Sequence, residues 1–136
     1  MLRITLLAGL AALATPVLAE GDPAKGEREF NKCRACHMIV ADDGTEIFKG
    51  GRTGPNLYGV IGRTAGTEEG FRYSPALVAA GEAGLVWDEE NIIPYLADPT
   101  AFIRDHLGDS GARSNMTFKL ARGGEDIVAY LISVSE

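Results

Sequence analysis

The clearest periodicity in the chain lies at its end. Ile127, Tyr130, Leu131 and Val134 recur at i, i+3, i+4 and i+7, and this single apolar stripe predicts a helix over Glu125 to Val134. Near the start of the polar part of the chain, Asp22-Pro23 reads as a helix cap followed by proline in the first turn. That helix is expected to run to about Lys32 and to bury Phe30. Pro75 to Ala80 reads as a short helix ended by Gly81. Asp88 is expected to cap another, with Glu89 and Glu90 in its positive first turn and Pro94 distorting it. Asp98-Pro99 restarts a helix through about Leu107, and Gly108 to Lys119 reads as loop.

Between Arg34 and Ser74 the pattern breaks down. Eight glycines from Gly44 to Gly70 punctuate the segment, which reads as loops and turns. No stretch has the alternation of a strand, no repeat is present and no segment is low-complexity. The class is therefore all-α with long loops. Loops of this length are unusual in a domain packed only on its own side chains. Something else is expected to fill the centre, and glycine suits a chain that wraps closely around a flat ligand.

Length and charge narrow the picture. The 136 residues allow one domain. Residues 1–19 read as a signal peptide: Arg3, an apolar run from Ile4 to Leu13, then the small-residue site Val17-Leu18-Ala19. Residues 20–136 form the domain, expected in the periplasm as a monomer, with no stable membrane insertion once the leader is cleaved. The whole chain carries 13 basic and 19 acidic residues. Removing Arg3 with the leader leaves 12 − 19, or −7. Such a balance argues against nucleic acid as a partner and against a basic membrane-binding face.

The chemistry concentrates in Cys33-Arg34-Ala35-Cys36-His37, a C-x-x-C-H haem-attachment pattern. Two thiols on one helical turn can each add to a vinyl group of the same porphyrin. His37 then lies beneath the ring and can bind iron through a neutral imidazole nitrogen. Two other readings use the same cysteines. A zinc site needs four ligands, and His106 is the only other histidine. A redox disulfide would sit beside a βαβ pattern, which the chain lacks. For a sixth iron ligand, Met38 is tied to the side of His37, which leaves Met116, in a loop, or His106, at a helix end.

Taken together, these residues resemble the class I cytochromes c, most closely the bacterial cytochrome c2 branch that is similar to mitochondrial cytochrome c. The likeness spans nearly all of residues 20–136. Gly26 and Phe30 match first-helix residues that pack on the last helix at Ile127 and Tyr130, and Arg52 to Gly66 looks like the family's central loop. The resemblance implies about five helices wrapped around one covalent haem c held by Cys33 and Cys36, with His37 and Met116 on the iron. It implies that the Pro55 carbonyl accepts the His37 ring N–H. It places Arg63, Tyr73, Ser74 and Trp87 at the haem propionates, Tyr95 beside the methionine sulfur and Phe118 at the haem edge. The implied function is electron carriage between a cytochrome bc1 complex and a photosynthetic reaction centre or terminal oxidase, with no substrate bond made or broken. A ligand-binding or peroxidase-like haem protein with an open sixth position is the alternative. Two loops are longer than in the mitochondrial type, at about 41–49 and before Met116. Leu77 stands where that type has a polar residue near a buried water.

Overall fold

The computed structural model describes residues 21–136, so the leader expected over residues 1–19 lies outside the described residues. The first helix begins where Asp22 and Pro23 direct. The Asp22 carboxylate accepts the N–H groups of Ala24 at 2.9 Å and Lys25 at 3.3 Å, and Pro23 opens α1 (Pro23–Glu29). The chain then tightens into one 3-10 turn, Phe30–Lys32, that delivers it to Cys33.

The amphipathic last helix, α5 (Gly124–Val134), packs across α1. They approach closely at Gly26, where a Cβ would stand 1.9 Å from the Asp126 carbonyl oxygen. Phe30, fully buried, lies 5.9 Å from the Tyr130 ring. The Asp126 carboxylate joins the two helix starts, accepting the Asp22 N–H at 2.9 Å and pairing with Lys25 at 3.2 Å. Ile127, Val128, Tyr130 and Leu131 of α5 are buried.

The segment from Ile39 to Phe48 differs from the expectation of loop. It forms a short antiparallel hairpin, β1 (Ile39–Val40) and β2 (Glu46–Phe48), with an irregularity in the register. Two and three residues are too few for alternation to appear in the sequence. The hairpin is held by packing instead: Ile39 is fully buried, and Phe48 meets the edge of Phe30 at 4.7 Å.

In α2 (Pro75–Glu82) the Ser74 hydroxyl caps the helix by accepting the Leu77 N–H at 3.2 Å. Gly81 does not end it. That glycine is buried inside the helix, where a Cβ would stand 1.9 Å from the Ala65 carbonyl oxygen, and the left-handed turn comes at Gly84, φ +100°. The segment after Asp88 also starts later than expected. The Asp88 side chain closes a turn by accepting the N–H groups of Glu90 and Asn91, and α3 (Ile92–Ala97) follows. Pro94 then lies in the first turn of a short helix, where it displaces no helical hydrogen bond. In α4 (Pro99–Leu107) Asp98 is the cap and Gly108, in the left-handed region, ends it. The central loop is pinned by Gly62, Ala65 and Trp87 through backbone hydrogen bonds between residues 62–65 and 85–87. Among the described residues no helix is long and apolar enough to cross a membrane.

Candidate haem site

Cys33 and Cys36 follow the 3-10 turn, with the His37 N–H bonded to the Cys33 carbonyl at 2.9 Å. This single turn puts both sulfurs and the imidazole on one short stretch of backbone. The loop from Gly50 to Leu57 runs alongside it. Gly51, Gly54 and Leu57 donate to the carbonyls of Arg34, Cys36 and Met38 at 2.8, 2.7 and 3.1 Å. At Gly54 the contact is with the imidazole, because a Cβ there would stand 2.5 Å from His37 Cε1.

His37 itself is buried, and its Nδ1 lies 2.8 Å from the Pro55 carbonyl oxygen. That bond fixes the tautomer: Nδ1 carries the proton, and Nε2 keeps its lone pair. Burial lowers the His37 pKa. The Pro55 bond opposes that shift, while the Arg63 charge adds to it. A neutral imidazole of fixed tautomer is what an iron ligand requires.

The cysteines fit attachment better than they fit the other two readings. Burial pushes the Cys33 thiol up to about 11, with a smaller opposing effect from Lys32. A disulfide-exchange cysteine is activated by the opposite shift. Among the described residues no three His, Cys, Asp or Glu side chains gather as a metal-ion site would need. His106 is exposed at the end of α4 and stacks on Phe102 at 6.1 Å.

The other expected residues fall into two linked groups. In the first, Arg63 donates to the carbonyls of Asn56 at 3.1 Å and Tyr58 at 3.5 Å, and its guanidinium pairs with Glu68 at 2.5 Å. The Tyr73 hydroxyl accepts the Glu68 N–H at 3.1 Å, and Ser74 is buried. The Trp87 N–H bonds to the Arg63 carbonyl at 2.9 Å. Trp87 also links this group to the second, its ring lying 4.7 Å from Tyr95. The Tyr95 hydroxyl meets Ser114 Oγ at 2.9 Å, and Ser114 Oγ accepts the Met116 N–H at 3.2 Å. Leu77 is buried, and the direct Tyr95–Ser114 bond satisfies both hydroxyls without a polar side chain at that position. Phe118 stands apart, 45% exposed.

Met116 is half-buried in a loop fastened on both sides to α3 and α4. Arg104 Nε donates to the Ala112 carbonyl at 2.9 Å and Thr100 Oγ1 accepts the Ser114 N–H at 3.2 Å. Lys119 pairs with Asp98 at 2.9 Å, and Leu120 donates to the Leu96 carbonyl at 2.8 Å. Apart from Asp98 as a helix cap, the sequence marks neither these fasteners nor Glu68 between Arg63 and Tyr73. Surface charges and small polar residues carry no pattern that marks such partners.

Comparison with known proteins places this geometry. No family model matches the chain. It is 65% identical to the cytochrome c-551 of Roseobacter denitrificans over 122 residues, covering 90% of this chain and 87% of that protein. It is 56% identical to the cytochrome c2 of Rhodobacter capsulatus over 136 residues, covering 98% of each. The solved structure of that cytochrome c2 superimposes with a TM-score of 0.83 at 59% identity, over 85% of this chain and all of that one. A cytochrome c2 structure from Paracoccus denitrificans gives the same TM-score of 0.83 at 50% identity, over 85% of this chain and 98% of that one.

Proposed function

The chain belongs to the class I cytochromes c, in the cytochrome c2 branch, electron carriers with one haem c, bound here through Cys33 and Cys36; on that premise we propose that it is a periplasmic shuttle whose iron is held between His37 and Met116. Its donor is a cytochrome bc1 complex, and its acceptor is a photosynthetic reaction centre or terminal oxidase. It is not an enzyme: no bond of a substrate changes. The observation that carries the reading is the His37 ring, buried, covered at Gly54 and bonded through Nδ1 to Pro55, so that only Nε2 is left to coordinate.

When bound, the haem supplies one-electron exchange between Fe(II) and Fe(III). The residues of the chain make that exchange fast by not moving. Pro55 and Gly54 hold the imidazole, and Ser114, Thr100 and Arg104 hold the backbone that presents Met116. Such support limits reorganisation when the iron changes charge. Arg63, Tyr73, Ser74 and Trp87 face the propionates in this reading, the guanidinium supplying the compensating charge. Phe118, exposed beside the Met116 loop, lies at the edge through which the electron leaves.

A ligand-binding haem protein would need the sixth position open. The test is the visible spectrum of the purified, reduced protein under carbon monoxide. The native spectrum should be unchanged by the gas, whereas Met116→Ala should bind it and have a lower midpoint potential, and His106→Ala should behave as native. Carbon monoxide binding by the native protein, or a native spectrum lost in His106→Ala, would overturn the assignment.

A further inference from the structure

Glu68 is the residue whose position the electron-carrier reading leaves unexplained. Its side chain is only 27% exposed and that of Arg63 16%, so their 2.5 Å pair is partly withdrawn from water. Glu68 also touches the second polar group of that corner, since its backbone N–H donates to the Tyr73 hydroxyl at 3.1 Å. With that lone pair engaged, the Tyr73 proton is free to donate away from Glu68. The guanidinium has its remaining bonds on the carbonyls of Asn56 and Tyr58. Glu68 therefore touches two of the four groups that face the propionates in the proposed function, the Arg63 guanidinium through its carboxylate and the Tyr73 hydroxyl through its backbone N–H, and this inference rests on that placement.

We infer that Glu68 is a positioning residue that sets the midpoint potential, by taking up part of the Arg63 charge otherwise presented to the propionates. The sign follows from Coulomb's law. A carboxylate near the haem favours the more positive oxidised state. Sharing the guanidinium between two carboxylate partners weakens its effect on the propionate, which acts in the same direction. In a partly buried site these effects are screened less than on the surface. Glu68 thus holds the potential down. The bland alternative is a lock that only stiffens the loop from Asn56 to Tyr73.

The experiment is spectroelectrochemical titration of the holoprotein and four variants. Glu68→Gln keeps the shape and a hydrogen-bond acceptor but removes the charge. At a fixed ambient potential its ratio of reduced to oxidised protein should rise roughly two- to tenfold, tenfold being about 59 mV for a one-electron couple. Glu68→Asp should restore most of the native value. Glu69→Gln removes the same charge from the exposed neighbouring position and should move the ratio less than Glu68→Gln does. Arg63→Gln should move it the opposite way. If Glu68→Gln left the ratio unchanged, or matched Glu69→Gln, while Arg63→Gln lowered it, the inference about Glu68 would fail and the propionate placement would stand. If neither Glu68→Gln nor Arg63→Gln changed it, the placement itself would fail. A Glu68→Gln protein with lowered thermal stability but native potential would assign Glu68 the role of a lock and overturn the inference.

Discussion

At the residue scale, the decisive group is a glycine with nothing in its side chain. Gly54 lies so close to His37 that a methyl group would stand 2.5 Å from Cε1 and 2.7 Å from Nδ1. The ring is pinned by Pro55 on that nitrogen, so the added carbon cannot be accommodated by a small rotation without breaking the bond. Gly54→Ala should therefore displace the ligand rather than the loop. The expected cost is about 1–3 kcal/mol, the range for overpacking a tight interior. The purified variant should carry less haem per chain by absorbance than the native protein. Full haem content with native stability would show that the ring has freedom the contact denies.

At the element scale, two opposing effects meet in α2. Gly81 lies inside the helix, where alanine would gain up to about 1 kcal/mol of intrinsic propensity. A Cβ there would stand 1.9 Å from the Ala65 carbonyl oxygen, a backbone atom that is itself held on the segment paired with Leu85. The clash should win, and Gly81→Ala should lower stability by about 1–2 kcal/mol in denaturant titration. The junction of α1 and α5 has a different sensitivity. The Asp126 carboxyl is held below its ordinary 3.8, first by the Asp22 N–H and then by Lys25. Protons therefore bind the unfolded chain more readily than the folded one. This stabilisation is complete above the unfolded value and is lost as pH falls from about 3.8 through the folded one. Asp126→Asn should lose less stability than the native protein between pH 6 and pH 3. An equal loss would mean that this junction does not respond to acid through Asp126.

At the scale of the whole molecule, the question is how an acidic protein finds its partners. The chain has a net charge of −6, yet its basic residues are not spread evenly. Lys25, Lys32, Arg63 and Lys119 are committed to ion pairs with Asp126, Glu29, Glu68 and Asp98. Arg28, Arg34, Lys49, Arg52, Arg72, Arg113 and Arg122 are exposed and form no ion pair among the described residues. In sequence all but Arg72 flank the attachment site, the loop beside it or the Met116 loop. Such a set would steer the haem edge toward an acidic face, raising encounter rate more than affinity. The rate of reaction with a bc1 complex should fall as ionic strength rises from 0.01 to 0.1 M, over which the Debye length shrinks from about 30 to about 10 Å. Arg113→Glu should slow it at low salt. Lys119 is a poorer probe, because reversing its charge would also break its link to Asp98 and loosen the Met116 loop. A rate that rose with salt would mean that net charge governs docking.

Much of this protein was determined by sequence alone, because the signals are local. A capping acid before proline marked the starts of α1 and α4, an apolar stripe marked α5, and five adjacent residues, Cys33 to His37, declared the chemistry. Each depends on spacing along a few turns of backbone. The tertiary structure decided the rest. The hairpin at Ile39 to Phe48 exists because Phe48 has Phe30 and Tyr130 to pack against, not because its residues alternate. In sequence Gly81 suggests a helix end, because glycine usually frees the backbone. Here it is a helix interior made bare for Ala65. The partners of Arg63 and Lys119 lie 5 and 21 residues away in the chain. No local pattern ties Glu68 to Arg63, or the capping Asp98 to Lys119, until the fold brings each pair together.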